Sequence, residues 1–489
     1  ERCNMSRKLV LLTVLTIFLT SILGLAIKVQ RVKASGPIYI RADGLVEPST
    51  ELISSIDNVT YTFTGDIYDS IVVERSNITI DGNGYTLQGF AREYGFNLTS
   101  ITNVTIQNTN IKGFDVAIRL QSASNNTISK NNISENSDLG IFLLYSSNNT
   151  IYLNTIKNSA RHGILLIESS SNRIYSNEIT ENGDIGISIS AGLNISSNNL
   201  IDANNIAENQ NGICLGFSSN NIISRNNVIN SKFTGIRLWS SSYRWSSSNN
   251  KIYHNNFVNN THQTYVLMPG YANIWDNGYP SGGNYWSDYN GTDSDYDGIG
   301  DTAYIVDANN TDSFPLMGLF YDFNATSKHY VQTISNSTIS SFQFNGTAIT
   351  FNVSGENGTT GFCRICIPTA LMNDTYKVSV NGTEVRYTLL SFTTHNYLYF
   401  TYKHSTQRVV ITSFIQPFPW DLVAWACAGV LASCSGFFGY LYLKTRLKLK
   451  KVHTKIAKIR ERKSANICPG CGIQNKPEAK FCRKCGRSL

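Results

Sequence analysis

From Asn126 the chain repeats one short phrase six times: NTISKNNISEN, NTIYLNTIKNS, NRIYSNEITEN, NLIDANNIAEN, NIISRNNVINS and NKIYHNNFVNN. The shared pattern is N-x-I-x-x-N-x-I-x-x-N, with its middle Asn at Asn131, Asn154, Asn177, Asn204, Asn226 and Asn255. The intervals of 23, 23, 27, 22 and 29 residues describe a unit of about 23 with two insertions. A unit of three short apolar runs divided by Asn or Gly turns is too small to bury a core alone, so its copies must stack. Stacking places Ile128, Ile151, Ile174, Ile201, Ile223 and Ile252 in one interior column. A second column runs from Ile133 through Ile156, Ile179, Ile206 and Val228 to Phe257. Gly-Ile pairs at Gly140, Gly163, Gly186, Gly212 and Gly235 supply a third, from Ile141 to Ile236. Asn suits the turns because it tolerates a left-handed backbone, and stacked Asn amides can bond from coil to coil. The expected fold is all-β, a parallel β-helix.

Irregular first coils begin at Asn77 and Asn103 and extend the helix over 77–268, behind an N-terminal cap at 34–76 that shields the first edge. A Tyr- and Asp-rich cap follows at 269–320. Its text GGNYWSDYNGTDSDYDGIGDTAY (Gly282–Tyr304) and PLM (Pro315–Met317), taken with the repeat, resembles the NosD-like β-helix proteins. These belong to a grouping called carbohydrate-binding proteins and sugar hydrolases, and the resemblance covers residues 38–317. It implies a right-handed, single-stranded, pectin-lyase-like helix. It does not choose among glycan binders, enzymes and surface proteins. The copper role associated with NosD is not carried over, because His162, His254, His262, His329, His395, His404, Met268, Met317 and Met372 form no tight set of soft ligands in the sequence.

Two apolar runs set the expected topology. Leu9–Ile27, between Arg7-Lys8 and Lys28, reads as a signal peptide or an uncleaved signal anchor within 1–33. Leu422–Leu443 follows Pro417, Pro419 and Trp420 and is long enough for a transmembrane helix over 420–443. Residues 444–489 hold 15 Lys or Arg against Glu461 and Glu478, whereas residues 34–443 hold 20 against 31 acidic residues, a net of −11. Positive charge stays inside, which puts the helix outside a cell membrane crossed once, or twice if the first run is kept. The basic linker at 444–465 fits lipid contact better than nucleic acid. Eighteen N-x-S/T sequons, Asn58, Asn97, Asn290 and Asn381 among them, suit a glycoprotein surface and, with the resemblance, an archaeal source.

Three exterior features are candidate sites. Asp293-x-Asp295-x-Asp297-Gly298-Ile299-Gly300-Asp301 matches an EF-hand-type loop through position 9, with Ile299 offering its carbonyl. Tyr304 replaces the bidentate Glu, so another final ligand such as Asp307 is needed. The expected ion is a structural Ca²⁺; the alternative is an acidic loop without metal. Asp115, Asp138, Arg161 and Asp184 recur at 23-residue intervals. Stacked about 5 Å apart, Asp115 and Asp138 would share a proton or bracket a water as glycosidase carboxylates do, with Arg161 and His162 beside them for an acidic sugar. Ordinary turn chemistry explains the same aspartates. The Ser-rich insertion with Trp239, Tyr243, Arg244 and Trp245 offers rings for sugar stacking, whereas Trp286 suits a plug in the open end of the helix.

Residues 321–415 alternate as a small β-sandwich stalk with an Asn381-Gly382 hairpin. Cys363 and Cys366 lie three apart on one strand, face opposite ways and read as packing cysteines. Cys468, Cys471, Cys482 and Cys485 form two CxxC knuckles in 466–489, a closed tetrahedral site for structural Zn²⁺. A cytoplasmic partner of this ribbon is its default role. The functional expectation is a glycan-binding surface protein or adhesin. A polysaccharide hydrolase or lyase and a purely structural envelope component are the alternatives.

Overall fold

The computed structural model describes residues 36–90, 93–240, 246–267, 271–372, 375–413, 420–461 and 466–489, the side chains of 420–434 and 456–461 excepted. It divides into two units, residues 1–413 and 414–489. The N-terminal apolar run lies outside the described residues, as do Tyr243, Arg244 and Trp245.

The repeat coils into three sheets of 11, 9 and 10 strands, parallel but for the edge strands Val46–Glu47 and Ile53–Ser54. The 11-stranded sheet carries the long strands, such as Val116–Gln121, Leu139–Leu144, Ile185–Ser190 and Thr234–Trp239. The other two carry three-residue strands such as Thr127–Ser129 and Asn132–Ser134. Register follows the repeat: Ile128 pairs with Ile151, Ile133 with Ile156 and Ile141 with Ile164. All six are 0% exposed. The Gly column marks where coils touch. A Cβ on Gly140 would lie 2.5 Å from the Gly163 carbonyl oxygen and 2.6 Å from Ile156.

The Asn turns are wired together. In one ladder each buried Asn receives, on its Oδ1, both the backbone N–H and the Nδ2–H of the Asn one coil earlier. It runs Asn126, Asn149, Asn172, Asn199, Asn221, Asn250, Asn273. A second runs Asn131, Asn154, Asn177, Asn204, Asn226, Asn255, Asn284. Trp275 and Trp286, each 1% exposed, close the far end, with Trp286 stacked between Phe257 and Tyr304 at 4.5 and 4.4 Å.

Residues from Leu319 to Ser413 form two five-stranded antiparallel sheets with their own core, and Asn381-Gly382 turns one hairpin at φ 48° and 78°. The sandwich packs against the last coils. Asn256 exchanges two hydrogen bonds with the Phe320 backbone, at 2.8 and 2.9 Å, and His254 stacks on the Phe320 ring at 4.1 Å. Cys363 is in the sandwich core and Cys366 lines its outer surface; both are free thiols.

In the second unit, the apolar run 422–443 lies inside the helix Trp420–Glu461. The expected transmembrane span is not supported here: no helix among the described residues is long and apolar enough to cross a membrane. Past Leu443 the helix continues through Lys444, Arg446, Lys448, Lys450 and Lys451.

Candidate functional site

The start of each long strand projects the predicted column. Backbone bonds tie it coil to coil: Asp138 N–H to the Asp115 carbonyl at 3.0 Å, Arg161 to Asp138 at 2.9 Å, and Asp184 to Arg161 at 2.8 Å. The side chains, however, pair differently from a glycosidase dyad. Arg161 grips both oxygens of Asp138, Nη2 to Oδ2 at 2.6 Å. Asp115 accepts the Ser137 hydroxyl at 3.1 Å. The shared-proton arrangement of Asp115 and Asp138 is therefore not formed, since a bidentate guanidinium is the stronger partner. A second pair stands beside it: His162 Nδ1 lies 3.7 Å from Asp184 Oδ2. Burial holds the His162 imidazolium below its ordinary pKa, against the pull of Asp184.

Farther along the same sheet face lies a cluster the sequence only half revealed. Trp239 is 41% exposed, and register places Tyr265, 38% exposed, opposite Arg237, two residues before Trp239 on the neighbouring strand. The Arg237 guanidinium sits 4.8 Å from the Trp239 ring and 5.5 Å from the Tyr265 ring. Phe217 packs on Trp239 at 6.2 Å, and Phe233 on Tyr265 at 6.2 Å. Side chains two apart on a strand share a face, so Arg237 was readable from Trp239. Tyr265 was not, because an irregular insertion separates the two coils.

The convergent donor sets among the described residues are two. In the first, the sulfurs of Cys468, Cys471, Cys482 and Cys485 lie within 4.8 Å of one another, and the pairs Cys468–Cys485 and Cys471–Cys482 close to 3.5 and 3.4 Å. Backbone amides of Cys485 and Lys484 hold the Cys482 thiol down to about 6, the thiolate form that zinc requires. Four thiolates fit a closed tetrahedral ion and leave no position for substrate. In the second, Asp293, Asp295 and Asp297 converge. Asp293 accepts the amides of Asp297 and Gly298 at 3.0 and 2.9 Å, and burial raises its carboxyl pKa. Asp301 turns to the Ser294 amide at 2.8 Å, and Asp307 to Asn310, so neither joins the trio. Ile299 is buried, its amide on Asp297.

Comparison with known proteins agrees on architecture. Residues 35–194 match the family model described as periplasmic copper-binding protein (NosD), residues 152–292 the right-handed β-helix region, and residues 467–489 the zinc-ribbon domain. No curated protein matches the sequence. Among solved structures, the Dettilon tailspike protein is similar at 14% identity, covering 72% of this chain and 86% of its own, with a TM-score of 0.33. The A-module of the Azotobacter vinelandii mannuronan C-5 epimerase AlgE4 is 14% identical over 47% of this chain and 78% of its own, with a TM-score of 0.31. A double mutant of the periplasmic alginate epimerase AlgG is 17% identical over 47% and 72%, with a TM-score of 0.32. Such scores say nothing about the site. The chain is a right-handed β-helix protein with a NosD-type match over its first coils and a C-terminal zinc-ribbon domain.

Proposed function

We propose that the outer face of the long-strand sheet binds a glycan and that the protein displays it at a cell surface. One observation carries the reading: Trp239, Arg237 and Tyr265 form an exposed ring–guanidinium–ring platform. Aromatic faces with a polar group between them suit the apolar faces and hydroxyls of a pyranose. The display half rests on charge: the −11 of residues 34–443 against the basic 444–489, on either side of the apolar run 422–443, favours a tether with the solenoid outside. In this reading Zn²⁺ is structural at the ribbon, Ca²⁺ is structural at Asp293, Asp295 and Asp297, and the ribbon meets a cytoplasmic partner. Glycan-array binding by the full chain tests the platform. Trp239→Ala with Tyr265→Ala should abolish it, while Asp115→Ala leaves it intact; binding that survives the double substitution refutes the assignment.

A second reading is favoured by the Asp138–Arg161 and His162–Asp184 pairs on the same face: a polysaccharide hydrolase or lyase. Release of reducing ends that is lost in Asp184→Ala would establish it. Neither binding nor release across diverse glycans would favour a structural envelope role.

A further inference from the structure

We propose a second sugar site, independent of the long-strand face: a neutral hexose, alone or at the end of a glycan, bound in the cleft between the solenoid flank and the sandwich. The cleft has a volume of about 530 Å³, within the range of preformed ligand pockets. Its solenoid wall comes from Arg173–Tyr175 and Leu200–Asp202, and its sandwich wall from Leu319–Thr326 and His329–Ser335. The Asn256–Phe320 hydrogen bonds and the His254–Phe320 stack fix the walls against each other. The site therefore exists without closure.

Charge selects the ligand class. Arg225 bridges the walls, donating from Nε to Asp202 Oδ1 at 2.9 Å and from Nη1 to Asp322. Arg173 is the other cation of the lining. Two arginines against two aspartates leave the cleft neutral, with no surplus charge to hold a phosphate, a uronate or a cation. Burying a charged ligand there would cost its hydration without an opposite charge in return.

Shape and polarity select further. Tyr175 stacks on Tyr152 with centroids 5.1 Å apart and planes 8° apart. On its other side the column continues with Asp202, a much shorter side chain, and the Arg173 guanidinium lies 5.6 Å from the Tyr175 ring centroid, so ring and guanidinium line the cleft together. Tyr330, 48% exposed, lines the sandwich side near Arg225. Rings beside a guanidinium–carboxylate array and the amides of Asn227 and Asn324 offer both things a pyranose presents, C–H faces and paired hydroxyls. A lipid or an apolar peptide segment would find charged groups where it needs a greasy floor.

Saturation-transfer NMR on the full chain tests this with D-glucose, D-galactose and D-mannose as probes and D-glucuronate and glycerol as controls. At least one hexose should show transfer several-fold above glycerol and glucuronate. Tyr330→Ala with Arg173→Ala, both exposed positions, should abolish that signal with the circular dichroism spectrum unchanged. Asn324→Arg, which obstructs the mouth and adds charge, should do the same. All samples, the substituted ones included, also carry Trp239→Ala, which disables the long-strand platform, so the transfer reports this cleft alone. Transfer no greater than glycerol, preference for glucuronate, or a signal that survives the double substitution overturns the proposal.

Discussion

Asn204 stands in the middle of a ladder, 1% exposed, and its replacement by Ala removes five hydrogen bonds. Its Nδ2 donates to Asn226 Oδ1 at 2.9 Å, the Ile174 carbonyl at 2.9 Å and the Asp202 carbonyl at 3.2 Å. Its Oδ1 accepts the Asn177 backbone N–H at 3.0 Å and Asn177 Nδ2 at 2.9 Å. Not all five losses cost equally. Asn177 Nδ2 keeps the Ile151 and Tyr175 carbonyls, and Asn226 Oδ1 keeps the Asn204 backbone N–H. Two groups bear the damage: the Asn177 N–H, left buried without an acceptor, and the Ile174 carbonyl, which loses this donor. At about 1–3 kcal/mol per unsatisfied buried group, the sum is roughly 4 kcal/mol before any cavity term. Asn132, exposed on its strand, makes a single amide–amide bond at 3.3 Å and should cost under about 0.5 kcal/mol as Ala. Urea unfolding of the full chain followed by circular dichroism gives both values. Hydrogen exchange at 174–179 and 201–206 shows whether the loss is local, as expected where coils contact only their neighbours. Asn204→Asp adds a sign test. Its carboxylate would face the oxygens of Ile174 and Asn226, so its folded pKa must rise, and the variant should regain stability as pH falls. A cost below about 1 kcal/mol for Asn204→Ala, or no difference from Asn132→Ala, would refute the ladder as a source of stability.

Other outcomes follow from the same geometry. Burial pushes the Asp312 carboxyl up to about 7 from 3.8, so its contribution is fullest below pH 4 and is lost as pH rises toward 7. The interval is worth on the order of 4 kcal/mol, and Asp312→Asn should flatten that part of a Tm-against-pH curve. Metal analysis of the full chain should find one zinc, and Cys482→Ser should release it while leaving the solenoid's thermal transition in place, since the ribbon belongs to the other unit. Calcium at ten times its Kd should stabilise the solenoid by about 1.4 kcal/mol; Asp295→Ala should remove the gain, and calcorimetric silence of the unsubstituted chain would reject the site. Trp239→Ala should leave Tm nearly unchanged while weakening glycan binding at least tenfold, because its ring is already 41% exposed.

What could be read in the sequence was whatever recurs. The Ile columns and Asn ladders are periodic, so one unit predicts the next. The carboxylate column was legible for the same reason, and within it Arg161 pairs with Asp138 one coil away. Features that close the pattern were not legible. Asn273 hands its ladder to Asn310, 37 residues on, and Arg225 reaches Asp322 across 97 residues. No spacing rule spans such gaps, because only the packed cap and the docked sandwich bring those residues together. The acidic loop was legible as far as Asp293, Asp295 and Asp297, which converge. Asp301, the expected ligand at position 9, accepts the backbone amide of Ser294.

The ladders also explain four residues of the cap, Trp275, Trp286, Asp307 and Asp312. In both, the amide oxygen points toward the preceding coil and the N–H toward the following one. The side-chain dipoles therefore add along the solenoid as peptide dipoles do along a helix, with the positive end at the last donor. A ladder of Asn cannot end on Asn without leaving that donor bare. One ends on Asp312, whose Oδ2 takes the Asn284 N–H at 2.8 Å and the Trp286 indole N–H at 2.9 Å. The other reaches Asn310, which takes the Trp275 indole N–H at 3.0 Å and passes its own Nδ2–H to Asp307 at 2.9 and 3.0 Å. Each ladder thus finishes on a carboxylate, with a Trp that covers the last coil and spends its one donor at the same junction. Asp307, Asp312, Trp275 and Trp286 stand at this end because a directional amide chain requires a terminal acceptor, and an open solenoid requires a large ring over its final layer.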